Sequence, residues 1–436
     1  MVQQNSRTAF INARLVDPAS ERDEPGGLLV EDGRIKDLGS HLRRNAPAGH
    51  KVFDCHGRVL CPGLIDMQVF AGEPGYEYRE TLETASLAAA AGGVTTIVVM
   101  PDTNPVIDQV ALVDYIQRRA RDNAVVNIHT MAAITKGLAG EEMTEIGLLK
   151  QAGAIAFSNA KRAITNTRVM NHVLLYARDF DALIVHHTED AYLADNGVMN
   201  SGELAFRLGL SGIHSIAETI MLERDLRLVE VTGARYHASS LTTAQSMDVV
   251  RVARARGLKF TCGVTINHLT LNENDIGAYR TFFKIRPPLR SEDDRMALVA
   301  ALEDGTIDVI VSSHDPQGAD VKRLPFAEAE DGAIGLETLL SAGLRLFHSG
   351  EVGLVQLLRA MTCRPAELLG LKTGRLQKDA PADLIVVDLD LPWVVNRENL
   401  RSRSQNSPFD ESKMQGFVLL TMVDGRIVYE YPAPHK

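Results

Sequence analysis

The chain has 436 residues, of which 45% are hydrophobic and 23% charged, and its formal net charge is −10 at pH 7. This length allows one large domain together with a smaller one, and the composition is typical of a soluble globular protein. The acidic balance argues against non-specific binding to nucleic acid or to an anionic membrane surface. No uninterrupted apolar run reaches the ~20 residues that a membrane-spanning helix needs.

The cysteine pattern gives no sign of a disulfide framework or a zinc–thiolate site. The four cysteines form no C-x-x-C pair, and this spacing favours reduced thiols. The first ten residues, MVQQNSRTAF, lack a basic segment followed by an apolar one, so we expect no secretory signal peptide. Together these features predict a cytoplasmic protein. The cysteines are Cys55, Cys61, Cys262 and Cys363.

Both ends of the chain carry short β-strand patterns punctuated by turns. A turn at Asp32-Gly33 joins two strands near the N-terminus, and one at Asp424-Gly425 joins two near the C-terminus. We therefore predict one small β domain built from both termini, residues 1–60 and 372–436. The segments that carry this pattern are 8–16, 27–36, 50–54, 382–388 and 417–428.

The middle of the chain, residues 61–371, alternates apolar strand patterns with amphipathic or Ala-rich helical patterns. Eight such strands separated by helices predict a (β/α)8 barrel, in which functional residues lie at the carboxyl ends of the strands. The strands are predicted at 64–70, 94–100, 125–131, 153–158, 182–188, 234–240, 258–264 and 307–313. Helices are predicted at 81–92, 108–121, 216–231, 243–256 and 293–303.

The first predicted barrel strand carries the most informative side chains. Asp66, Gln68 and Phe70 lie on one side of it, because successive side chains of a strand alternate between its faces. This spacing is the one by which a barrel strand presents polar groups to the mouth of the barrel. Phe70, however, offers no polar group at all.

Motifs along the whole chain resemble the dihydroorotases of the amidohydrolase superfamily, from about residue 8 to residue 430. The resemblance implies a TIM barrel with a composite β domain. It also implies a zinc-dependent hydrolase that interconverts dihydroorotate and carbamoyl aspartate in pyrimidine biosynthesis. The motifs are PGLIDMQVFAGEPG, MPDTNPVID, HTED, GLSGIHSIAE, NHLTL, FKIRPPLR, DGTIDVIVSSHDPQ, GLETLL, TGRLQKDAPADLIVVD and NSPF.

The positions that carry zinc chemistry in this family hold unsuitable residues here. A glutamine oxygen is a weak neutral ligand and a phenyl ring is none, whereas zinc prefers imidazole, thiolate or carboxylate. By resemblance, Gln68 and Phe70 replace the His-x-His pair, Gly72 a substrate-binding arginine, Asn159 the acidic ligand of strand four, Ser240 the second histidine of strand six, and Ser313 the catalytic aspartate. We therefore predict no catalytic residue and no bound zinc.

Two residues remain as weak candidates for a rebuilt site. His187 matches a ligand position of the family, but a lone imidazole supplies only part of the ligand set that zinc needs. Asp315 lies two residues from the missing carboxylate, with the right parity for the same face. Lys161, just beyond strand four, is interpreted as an exposed lysine, and His237 and His314 as hydrogen-bonded packing residues.

The sequence supports more than one functional hypothesis. The first is a catalytically inactive dihydroorotase homologue that serves as a structural or regulatory partner of aspartate carbamoyltransferase, an association known for inactive members of this family. The alternative is an active dihydroorotase with an altered zinc site. A third is a module that binds a pyrimidine intermediate in the vacated pocket. The resemblance also suggests a homo-oligomer.

Overall fold

The computed structural model describes residues 7–431. Residues 1–6 and 432–436, which the predicted β domain included, lie outside the described residues. Within 7–431, none of the helices combines the length and the apolar character needed to cross a membrane.

A parallel barrel forms the larger part of the molecule. Its strands pair in sequence order, from first to eighth. A parallel bridge between Val69 and His314 brings the first strand against the segment that follows the eighth. The predicted (β/α)8 barrel is therefore confirmed. The eight strands are Leu64–Val69, Val94–Val99, Asn127–Ala133, Ala156–Ser158, Ile184–His187, Tyr236–Ser239, Thr261–Thr265 and Val309–Val311.

The buried carboxylate of Asp66 holds this closure together from inside the barrel. Its two oxygens accept the backbone N–H of Gln68, at 3.1 Å, and that of Ser312, at 3.2 Å. On the outer side of the bridge, the N–H of Phe70 donates to the carbonyl of His314 at 2.8 Å. Buried polar groups are stable only when they are hydrogen-bonded, and the bonds to Ser312 and His314 join the first strand to the segment after the eighth.

Helices cover the outside of the barrel, and polar side chains cap several of them. Thr81, Asn166, Thr243 and Ser291 each accept a backbone N–H of the first turn. The longer helices are Leu82–Ala91, Val110–Asn123, Thr167–Asp179, Ile216–Thr232, Ala244–Ala255, Glu292–Glu303, Leu339–His348 and Leu354–Met361. The shorter ones are Ile146–Gln151, Ala191–Ala194, Glu203–Leu208, Ile266–Thr270, Ala319–Lys322 and Cys363–Leu369.

The β domain is one sheet to which both ends of the chain contribute, as predicted. Its core is apolar and separate from that of the barrel. In spatial order, the strands are Arg426–Glu430, Lys413–Val423, Leu384–Val394, Val59–Pro62, Thr8–Asp17, Arg22–Glu31 and Arg34–Gly39, with Lys51–Asp54 paired to Thr8–Asp17.

Val59–Pro62 is a strand that the sequence patterns did not reveal. It pairs in parallel with Thr8–Asp17 and antiparallel with Leu384–Val394, so it joins the N-terminal and C-terminal parts of the sheet. It also spans the predicted domain boundary between residues 60 and 61. The adjacent Gly63 allows a close approach to the barrel, because a Cβ there would lie 2.1 Å from the Thr95 side chain.

Truncating Leu60, which is fully buried in this joining strand, should destabilise the chain. We expect Leu60→Ala to lower the free energy of unfolding by about 2–5 kcal/mol, because it removes buried apolar surface and leaves a cavity. Val52→Ala is the control, since Val52 is 49% exposed and should cost about 0.5 kcal/mol or less. Urea unfolding followed by circular dichroism measures both. If both variants lowered the free energy of unfolding equally, Val59–Pro62 would not have the stabilising role inferred here.

Candidate functional site at the barrel mouth

A cavity of about 590 Å³ opens at the carboxyl ends of the barrel strands. Its walls include Phe70, Asn159 and Asp315, three of the positions singled out in the sequence. Gln68, His187, Ser240 and Ser313 do not belong to this lining. The structure therefore separates the predicted site residues into a group that lines the cavity and a group outside its wall.

Gln68 and Ser240 contact each other. The Ser240 hydroxyl donates to the Gln68 Oε1 at 2.9 Å, and the Ser239 hydroxyl approaches the same oxygen at 3.4 Å. Ser240 adopts a left-handed backbone conformation, with φ of 55°. The side chains at these two positions, where the family places histidine ligands, thus satisfy one another.

Gly72 occupies a tight turn after the first strand. Its φ is +69°, and a Cβ at this position would lie 2.3 Å from the carbonyl oxygen of Glu80. The turn is closed by the Tyr76 N–H, which donates to the Gly72 carbonyl at 2.6 Å. An arginine at this position would require the backbone to move, so the loss of the side chain is built into the loop.

Asn159 is hydrogen-bonded to a neighbouring loop residue, and Ser313 lies in a turn. The buried Asn159 side chain accepts the Thr135 N–H at 3.1 Å and donates to the Thr135 hydroxyl at 2.7 Å. Ser313 sits at a left-handed position, with φ of 52°, two residues after the end of the eighth strand. A small side chain suits such a turn.

His187 is buried at the end of the fifth strand, and its Nε2 has no hydrogen-bond partner. The nearest carboxylate oxygen is Oε1 of Glu189, at 3.7 Å. The same oxygen binds the guanidinium of Arg286, at 2.5 Å from Nη2. Burial raises the pKa of Glu189, but His187 and Arg286 outweigh it and lower this pKa to about 2. Glu189 is therefore ionised at neutral pH and already paired with Arg286.

Asp315 lies between two cations. Its Oδ1 accepts Nη2 of Arg79 at 2.7 Å, and its Oδ2 pairs with the Lys161 ammonium. A third donor, the Gln317 amide, approaches Oδ1 at 3.2 Å. The interpretation of Lys161 as an exposed side chain was wrong, because the ion pair holds it partly buried over the cavity. Both oxygens of Asp315 are therefore occupied by cationic or amide donors.

The other histidines at the mouth are hydrogen-bonded to neighbouring groups. His186 lies 2.6 Å from an Asp225 oxygen and accepts the Ile164 N–H at 2.9 Å. His314 accepts the Gly335 N–H at 3.2 Å and faces Glu80 at 3.3 Å. The partners of the remaining two are Thr261 for His237, and Thr265 and the Pro288 carbonyl for His268.

The basic run FKIRPPLR is engaged as well. Lys284 donates to the backbone carbonyls of Ala327 and Ala329, at 3.0 and 2.6 Å. Arg290 is buried and binds Thr242, Asn200 and the Ile213 carbonyl. Arg286, which is paired with Glu189, lines the cavity, and Nη2 of Arg290 is buried without a hydrogen-bond partner.

The residues present do not fit a zinc centre. Across residues 7–431, no group of three or more His, Cys, Asp or Glu side chains is arranged to hold a metal ion. Structural and catalytic zinc sites need at least three such ligands. His187 is the one family ligand position that retains its residue type, and the side chains at Gln68 and Ser240 are already paired.

Two residues at the mouth escaped the sequence analysis. The guanidinium of Arg79 lies over the Phe70 ring, with its carbon 4.0 Å from the ring centre, and Tyr76 flanks the pair. Both come from the loop EPGYEYRE, which has no strand or helix periodicity. The available signal was Phe70 itself, because an aromatic ring at a polar mouth is a natural seat for a cation.

Comparison with known structures agrees with the fold. An L-hydantoinase from Arthrobacter aurescens superposes with a TM-score of 0.87 at 24% sequence identity, covering 98% of this chain and 96% of its own. A D-hydantoinase superposes with a TM-score of 0.84 at 22% identity, covering 97% and 95%. Residues 235–429 match the model of the amidohydrolase family. The barrel and its composite β domain thus define an amidohydrolase-type protein.

Sequence comparison narrows this class. Residues 57–246 match the family model described as dihydro-orotase-like. A dihydroorotase of Anaplasma phagocytophilum (strain HZ) is 41% identical over 97% of this chain and 95% of its own length. A dihydroorotase of Pelobacter propionicus is 41% identical over 96% and 98%. The chain belongs to the dihydroorotase family.

Two buried histidines should make stability depend on pH. Burial lowers the pKa of His237 and His268 to about 4 in the folded chain, from about 6.5 in an unfolded one. Between these values the unfolded chain binds protons that the folded chain does not, so both histidines lower the free energy of unfolding as the pH falls from about 6.5 to 4.

The measurement is urea unfolding at pH 7 and pH 5. We expect His237→Gln to lose less stability than the wild type over this interval, because one of the titrating groups is gone. His172→Gln, at an exposed histidine, should follow the wild type. An unchanged pH dependence in His237→Gln would contradict a neutral, buried His237.

Proposed function

We propose that this chain is a catalytically inactive dihydroorotase homologue that serves pyrimidine biosynthesis as a structural or regulatory subunit. The observation that carries this proposal is the hydrogen bond between Gln68 and Ser240. It joins two positions that hold histidine ligands in the family. The Gln68 oxygen and the Ser240 hydroxyl are already paired with each other, and Phe70 has no atom that can bind a metal.

The arrangement of charge supports the same proposal. Hydrolysis of a cyclic amide needs a nucleophile generated at neutral pH and a group that moves a proton. Ser313 stands where the family has its catalytic aspartate, and the nearby Asp315 is bound by Arg79 and Lys161. Asp102 also lines the cavity and its Oδ1 has no hydrogen-bond partner, but it follows the second strand and not the eighth, where the family has its catalytic aspartate.

The scaffold around this site is intact, which favours selection on the fold or its surface. The barrel is closed, the β domain is complete across residues 8–430, and the loop turns are formed. Inactive members of the family assemble with aspartate carbamoyltransferase, and we propose the same partner for this chain. Self-association through the barrel is compatible with that role.

An active enzyme with an altered site is the second candidate. It is favoured by the name dihydroorotase of relatives that are about 40% identical over nearly the whole chain. One structural observation is also compatible with it, because His187 keeps a buried Nε2 without a hydrogen-bond partner. Under this reading His187 would be a ligand, with His237, His314 or Asp315 supplying others.

Metal content and turnover separate the two candidates. We expect the purified chain, after dialysis against buffer with added zinc, to hold no stoichiometric metal by elemental analysis. We also expect no conversion of dihydroorotate or carbamoyl aspartate above the protein-free rate, because the ligand set is incomplete. An intact dihydroorotase assayed in parallel is the positive control.

The variant His187→Ala sharpens this test. An inactive homologue predicts the same metal content and the same background rate for the variant and the wild type, and Arg162→Ala serves as a matched control at the cavity rim. Stoichiometric zinc together with turnover that His187→Ala abolishes would establish the active enzyme instead.

Assembly with aspartate carbamoyltransferase is a separate prediction. We expect the two chains, co-expressed from the same source, to elute together in size-exclusion chromatography at a mass above that of either alone. We also expect the carbamoyltransferase to be less stable or less active without this chain. A carbamoyltransferase that assembles and works equally well alone would reject the subunit role.

A further inference from the structure

We propose that the Phe70 ring, the Asp315 carboxylate and the Pro316 carbonyl form a guanidinium-binding site, which Arg79 fills. The proposal goes beyond the inactive-subunit role, because it assigns a new occupant to the mouth of the barrel. Its ligand class is a guanidinium cation, supplied by the chain itself.

The contacts match the shape of a guanidinium group. The face of the Arg79 guanidinium lies over the Phe70 ring, 4.0 Å from its centre to Cζ. On the edge of the group, Nη2 donates to Asp315 at 2.7 Å and Nε donates to the Pro316 carbonyl at 2.8 Å. A planar cation with donors along its edge satisfies an aromatic face and these oxygens at once, which a spherical ion cannot do.

Two cations, Arg79 and Lys161, face the carboxyl groups of Asp315 and Asp102 in this region, and Asp331 lies close enough to act on Lys161 as well. Lys161 neutralises the second oxygen of Asp315, and Asp102 lies near enough to feel both cations and Asp315. Burial and the charge of Asp315 raise the pKa of Asp102, while Lys161 and Arg79 oppose this rise. Removing Arg79 would leave two carboxylates facing one ammonium in a partly buried cavity.

The site also connects separate loops of the barrel mouth. Arg79 comes from the loop after the first strand and Asp315 from the loop after the eighth. The segment before Lys413–Val423 supports both, because Ser404 donates to the Arg79 carbonyl at 2.9 Å and Asn406 to the Asp315 carbonyl at 3.3 Å. The Arg79 cation therefore holds the loops after the first and eighth strands together, as a bound ion holds the residues that share it.

The replacement at position 70 acquires a physical meaning from this geometry. A phenyl ring cannot coordinate a metal, but its negative face attracts an organic cation. Phe70 is buried against Arg79 and Tyr76 rather than left as an empty position. Phenylalanine at position 70 thus removes a metal ligand of the family and at the same time provides a binding surface for the guanidinium.

Chemical rescue tests the site directly. In Arg79→Ala the cavity should accept a free guanidinium, so methylguanidine at millimolar concentration should raise the unfolding temperature of the variant along a saturable curve. Without the ligand, we expect Arg79→Ala to unfold about 3–6 °C below the wild type. The wild type, whose site is filled, and Arg162→Ala, whose arginine makes no ion pair within residues 7–431, should show no saturable rise.

A variant that unfolds at the wild-type temperature, or one that methylguanidine does not stabilise, would overturn the proposal. If Arg79→Ala does not fold, Phe70→Leu and Asp315→Asn provide the second measurement. Both act through Arg79, so their combined shift in unfolding temperature should be smaller than the sum of the single shifts. Additive shifts would reject the site. Turnover and carbamoyltransferase assembly are read independently, so failure here leaves the proposed function standing.

Discussion

The seam between the first and the eighth barrel strands is the constraint on which the rest of the mouth depends. Asp66 accepts the Ser312 N–H across it, and the N–H of Phe70 donates to the carbonyl of His314. The family's first ligand pair and its catalytic position flank this seam. Because the seam is intact, the altered side chains sit in a well-formed frame. Their contacts are specific pairings within an ordered site.

The fold was largely predictable, because it depends on local periodicity. Apolar strands such as Val94–Val99 and amphipathic helices such as Val110–Asn123 can be recognised from the pattern of a short stretch of sequence. Val59–Pro62 did not, since it has only four residues and its partners come from both ends of the chain. The strand is defined by pairing with residues that are distant in the sequence, and a short stretch of sequence does not include those partners.

The chemistry of the site was predictable only as a set of absences. The replacements at Gln68, Phe70 and Ser240 are visible in the sequence, but not that Gln68 and Ser240 hydrogen-bond to each other or that Phe70 supports a cation. For the same reason Arg79 was missed and Lys161 was misinterpreted as an exposed side chain. An ion pair between residues that are far apart in sequence leaves no spacing to detect, and a loop lysine looks like any solvated lysine.

The joining strand of the β domain has a consequence for how the chain is made. Val59–Pro62 leaves the ribosome early, together with Thr8–Asp17, but its other neighbour, Leu384–Val394, follows only after the whole barrel has been synthesised. Until then one side of the strand presents unpaired backbone groups, which are a template for wrong pairing. The sheet can therefore be completed only after the barrel has been translated. A nascent chain that stops before residue 384 has an open sheet edge.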